Sequence, residues 1–238
     1  MEAKLTELVE RLKAAASSNL SAVVLFGSAV TGEFQAKHSN LNILCILAQA
    51  GATELERLHP VAEWWMREGN PPPIVFTFDE LRRSGDIFAI ELWDMKQYHR
   101  MLFGVDFFDA FPVPLQLHRL QVERELRSGW MRLRQAVLGA PQESKSYLGI
   151  MLASVSTFGT LFRHALMAMG QPAVAGKREA VNHIAALVGA DPSGFDAVLD
   201  LREGTRKEKD VDVEAALQAY VTLVGVVTDE VDRRLELN

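Results

Sequence analysis

Gly27-Ser28, Gly32, Ser39, Asn40 and Asn42 stand in the order and spacing of a site that handles phosphate, set between apolar stretches at 22–26 and 41–47. A Gly-Ser turn lets the backbone come close to phosphate oxygens, and a helix opening just after it offers free N–H groups. Residues i and i+2 of a strand project from one face, so side chains 40 and 42 are delivered to one point. Metal-assisted phosphoryl chemistry needs carboxylates at such a point, because hard cations take charged oxygen ligands. This chain supplies two amides instead. An amide offers one neutral oxygen where a carboxylate offers two charged ones. Lys37 and His38, just before Ser39, are placed to offset phosphate charge as a partial substitute for metal.

The stretch resembles the nucleotidyltransferase superfamily that includes DNA polymerase beta, kanamycin nucleotidyltransferase and the minimal nucleotidyltransferases. Their pattern is a strand, Gly-Ser, a further small residue or glycine, and Asp-x-Asp on the next strand. The resemblance covers roughly residues 20–105. It implies an α+β chain: an N-terminal mixed sheet with flanking helices, followed by an all-α helical bundle. By this resemblance Asn40 and Asn42 occupy two metal-binding aspartate positions. The family's third carboxylate comes from a later strand, for which Glu91 is the candidate. Gly27, Ser28, Gly32, Lys37, His38, Ser39, Asn40 and Asn42 form the implied ligand-binding set.

Removing both aspartate charges leaves a pair of Mg²⁺ ions little to hold them. The resemblance therefore implies a pseudo-nucleotidyltransferase with impaired transfer and no expected cofactor, which binds a nucleotide or another phosphorylated ligand or regulates a partner. One alternative is an active enzyme that uses Mg²⁺ through Glu91 and a further acid, modifying a small hydroxylated acceptor or a protein. Another is a toxin–antitoxin or RNA-related interaction protein built on the helical half. There Arg178 and His183 resemble the Arg/His pair of HEPN-type ribonucleases, a spacing that ordinary helix-surface residues also satisfy.

The elements that must position these residues follow from periodicity. Leu5, Leu8, Val9 and Leu12 predict a helix over 3–17. Apolar runs predict strands over 22–26, 41–47 and 74–78, with further strands over 87–92 and 97–103. A helix over 53–68 is stopped by Gly69-Asn70 and the prolines at 71–73. Beyond Pro112 and Pro114, helices are expected over 115–138, 145–169, 177–188, 193–202 and 212–235. The boundary falls near 108–114, giving domains 1–110 and 111–238. The arginines of the 115–138 helix alternate with Glu123 and Glu125, a salt-bridged pattern.

Bulk properties bound the rest. The chain has 238 residues and net charge −6. Its acidity argues against broad nucleic-acid or membrane binding. No uninterrupted apolar run approaches the roughly 18 residues of a membrane span. The N-terminus reads as an amphipathic helix and the single cysteine, Cys45, lies in an apolar strand, so a reducing cytoplasm is expected. Apolar and aromatic helix positions around Trp64-Trp65 and 158–169 suit core packing, with a homodimer as the outlet for any excess.

Overall fold

Leu5, Leu8, Val9 and Leu12 recur at helical spacing and form the buried face of α1 (Glu2–Ala16). The computed structural model describes residues 1–31, 40–172, 174 and 176–236, with the backbone alone at 86, 235 and 236. These divide into two units, Met1–Pro114 and Leu115–Asn238.

The first unit is built on a four-stranded mixed sheet. Its strands are β1 (Leu20–Phe26), β2 (Asn42–Leu47), β3 (Ile74–Thr77) and β4 (His99–Phe103), in the order β3-β2-β1-β4. β1 runs antiparallel to both β2 and β4, and β2 runs parallel to β3. The parallel pair needs a crossover, supplied by α2 (Ala52–Arg67). Both faces of the sheet are covered, which is why β2 reads as an unbroken apolar run. On one face Val23, Leu25, Leu41, Ile43 and Cys45 pack with α1 and with Leu58, Val61 and Trp65 of α2. On the other, Ala22, Val24, Leu44 and Ile46 pack with Leu81, Leu92, Met95, Phe108 and Phe111. Cys45 behaves as a small core hydrophobe, and burial pushes its thiol up to about 12.

After β3 comes α3 (Phe78–Arg83), opened by a capping box. The Thr77 hydroxyl accepts the Glu80 N–H at 3.2 Å, and the Glu80 carboxylate accepts the Thr77 N–H at 2.8 Å. The strand expected over 87–92 is a helix instead, α4 (Ala89–Gln97). Its buried residues Ala89, Leu92 and Met95 recur every third position, a helical stripe that a six-residue apolar run cannot display. Glu91 is thus an exposed residue in the first turn of α4 and not a strand residue. An acid is favoured there by the helix dipole.

The second unit comprises α5 (Leu115–Gly139), α6 (Ser144–Ala168), α7 (Lys177–Val188), α8 (Ser193–Glu203) and α9 (Val213–Glu236). α6 is the hub and touches the other four. By length and hydropathy α6 could cross a membrane, but most of that stretch is buried inside the protein. Phe162 and Leu166 are fully buried and Met169 half-buried. Phe195 and Tyr220 stack at 3.9 Å, beside Phe158 and Phe162. Ion pairs tie the outer faces. Arg127 joins α5 to α9 through Asp232 at 2.6 Å and also holds Glu123 at 3.1 Å. Arg178 of α7 binds Asp196, Asp200 and Glu203 of α8 at 2.9–3.1 Å. Three carboxylates thus occupy the guanidinium that the ribonuclease-like spacing had singled out.

Candidate ligand site at the Gly-Ser turn

β1 ends at Phe26, which is paired with Asn42 on one side and His99 on the other. The chain then turns sharply. Gly27 has φ +79°, a left-handed conformation that a residue with a Cβ adopts at a cost. A short 3-10 turn spans Gly27–Ala29, closed by the Val30 N–H on the Gly27 carbonyl at 3.0 Å. A Cβ added at Gly27 would lie 2.8 Å from Nδ2 of Asn42. The Asn42 amide therefore rests against the backbone of the Gly-Ser turn, so the structure brings Gly27, Ser28 and Asn42 together.

The strand period puts Asn42 on the face of Leu44 and Ile46, while Leu41 and Ile43 join the opposite cluster. Asn40 is exposed, just before β2. Leu41 donates its N–H to Oδ1 of Asn70 at 3.0 Å, which clips the entrance of β2 to the segment leading into β3. In the β2–β3 register Leu44 faces Ile74. Carried two residues back, that register sets Asn42 level with Pro72. Gly32, Lys37, His38 and Ser39 lie outside the described residues.

Sequence reading missed His99. Its Nε2 lies 2.8 Å from Oδ2 of Asp106, whose Oδ1 accepts the Phe108 N–H at 3.0 Å. The ring packs on Phe108 at 4.5 Å, and the side chain is 13% exposed. Nδ1 is buried without a hydrogen-bond partner among the described residues. Burial pushes the Asp106 carboxyl up, but the hydrogen bonds from His99 and Phe108 outweigh it and hold it below its ordinary range. Asn42, Phe26 and His99 form one cross-strand row, with the outer two on the order of 10 Å apart. No spacing rule pairs residues 99 and 106. They meet because the chain reverses at Gly104, where φ is +86°.

No family model matches the chain, and no curated protein sequence matches it either. Among solved structures it is similar to spectinomycin adenyltransferase AAD(9) from Enterococcus faecialis with ATP and spectinomycin. That match has a TM-score of 0.55 and 13% identity, and covers 93% of this chain and 98% of the other. The chain shares the fold of that adenyltransferase. A toxin-antitoxin structure with AMP-PNP matches at a TM-score of 0.32 and 14% identity, over 56% of this chain and 98% of the other.

A nucleotidyltransferase fold raises the question of a metal pair, and the described residues do not fit one. Positions 40 and 42 are amides, and β1 and β3, the strands on either side of β2, carry no carboxylate. Pro72, level with Asn42, has no side-chain ligand atom. Among the described residues no group of three or more His, Cys, Asp and Glu side chains is placed to hold a metal ion.

Proposed function

We propose that this nucleotidyltransferase-like protein binds a nucleotide or a related phosphorylated ligand at the Gly27-Ser28 turn without a divalent-metal pair, and transfers nucleotidyl groups weakly or not at all. The observation that carries this reading is the Asn42 amide seated on Gly27 with no carboxylate on either flanking strand. Nucleotidyl transfer passes negative charge through an in-line phosphoryl centre, and metal ions ordinarily stabilise it. Amides hold no such ions, but they also do not repel a phosphate. Asn40, Asn42 and the backbone N–H groups of the turn supply neutral donors. Gly32, Lys37, His38 and Ser39 complete the set on the strength of the sequence. The nucleotide class is drawn from the likeness to AAD(9), whose structure holds ATP.

Titration calorimetry with ATP, GTP and CTP, in EDTA and in Mg²⁺, tests the reading. The expected result is binding that metal does not strengthen. Tight binding only with Mg²⁺, lost in Glu91→Gln, would establish the active-enzyme alternative. Absence of binding under either condition would remove the ligand assignment.

A further inference from the structure

α5 has two apolar faces, of which one packs inside the bundle. Its buried residues, His118, Val122, Leu126, Gly129 and Leu133, recur every three or four positions and meet α6 and α9. Close to the opposite side of the helix, Leu120, Arg124, Arg127, Met131, Arg134 and Leu138 are all exposed. They follow one another in alternating steps of four and three, the a and d spacing of a heptad repeat, over about 27 Å of helix. A single exposed apolar residue needs no explanation, but here Leu120 is 61% exposed, Met131 60% and Leu138 89%, and the three stand on one line. The seam is also basic. α5 carries five arginines against two glutamates in a chain of net charge −6. Arg127 is committed to Glu123 and Asp232, and Arg134 lies over the Trp130 ring at 4.7 Å. Arg124 and Arg134 set two cations between the apolar positions of the seam.

We propose that this face docks an acidic amphipathic helix of a partner protein, laid along α5. A seam one residue wide suits a helix–helix contact, whereas a helix that lies in a membrane surface presents a broad apolar face. The cations select the partner's charge. Carboxylates that flank its apolar stripe would meet Arg124 and Arg134 in charge-assisted hydrogen bonds. A second copy of this chain does not meet that demand. Antiparallel pairing of two α5 helices with Leu120 on Leu138 sets Arg124 against Arg134, and parallel pairing sets each arginine against its own copy. The proposal is independent of the ligand site at the Gly-Ser turn.

The test is fluorescence anisotropy of a labelled helical peptide titrated with the full chain. The peptide has three heptads with Leu at a and d and Glu at e and g, and its twin carries Lys in place of Glu. The acidic peptide should bind, the Lys twin should not, and added salt should weaken the binding. Met131→Glu, and Arg124→Glu combined with Arg134→Glu, should each weaken it at least tenfold. All three positions are exposed, so both variants should melt close to the wild type. No binding of the acidic peptide, equal binding of the two peptides, or unchanged binding in the folded variants overturns the proposal. Sedimentation velocity of the chain alone and flotation with phosphatidylcholine–phosphatidylglycerol vesicles complete the test, and a monomer that does not float is expected. A dimer that Met131→Glu dissociates assigns the face to a second copy, vesicle binding that Met131→Glu abolishes assigns it to a membrane, and either overturns the proposal.

Discussion

A side chain at Gly27 would meet the amide of Asn42, because a Cβ there would stand 2.8 Å from Asn42 Nδ2. The turn that ends β1 and the residue that opens β2 are thus one packing unit. Changes at either should be felt at the other.

Gly27→Ala should destabilise the protein by about 1–3 kcal/mol, combining a left-handed Ala with the contact on Asn42. In the Asn42→Ala background only the backbone part should remain. Urea melts of the four proteins in the cycle give the coupling, and a coupling near zero would mean that Asn42 yields freely.

Asn40→Asp with Asn42→Asp should lower the melting temperature in EDTA, since two carboxylates at one strand entrance repel each other. Mg²⁺ should restore only part of the loss, because Pro72 provides no third ligand. Adding Pro72→Glu should enlarge the Mg²⁺ response by several degrees, on the scale of about 2–4 °C per kcal/mol for a chain of this size. Thermal melts with and without Mg²⁺ decide the matter. Equal Mg²⁺ responses in the double and triple variants would rule out position 72 as the missing corner.

Glu230 predicts a feature of the acid limb. Hydrogen bonds from Arg233 and Arg234 hold its carboxyl at about 2, below the usual 4.5. A depressed folded-state value means stability that is present above 4.5 and is lost as pH falls towards 2. Glu230→Gln should therefore cost stability at pH 7, by about 1 kcal/mol for a network in which only Arg233 is well exposed, and flatten the pH dependence in that window. Denaturant melts across the acid range test this. Parallel curves for wild type and variant would contradict it.

Gly194 marks a close helix contact in the second unit. A Cβ there would fall 2.3 Å from the Ala216 carbonyl oxygen and 2.6 Å from the Tyr220 N. Both are backbone atoms of α9, so no side chain can swing away. Gly194→Ala should push α8 from α9, disturb the Phe195–Tyr220 stack and cost about 1–3 kcal/mol. Near-ultraviolet circular dichroism and chemical denaturation report on both effects, and a wild-type tyrosine signal with unchanged stability would refute the contact.

Short-range pattern made most of the elements legible in advance. The stripe of α1, the unbroken run of β2, the proline stop after α2 and the five long helices all announce themselves within a few residues. The same holds for the turn at Gly27-Ser28 and for the missing acids at 40 and 42, which are matters of residue type. One local reading failed: 87–92 is too short for its period to show, and Glu91 went with it from strand to helix.

What tertiary structure alone decided are the meetings between distant segments. Strand register brings Leu44 level with Ile74, thirty residues apart in the chain. Pairing of β4 with β1 carries His99 to the Asn42 row, and the reversal at Gly104 returns Asp106 to it. The fit of Gly27 against Asn42 depends on the same pairing. Periodicity describes which face a residue takes within its own element. Register and crossover decide which faces meet, and these are set by burial summed over the whole sheet, which no short stretch of sequence contains.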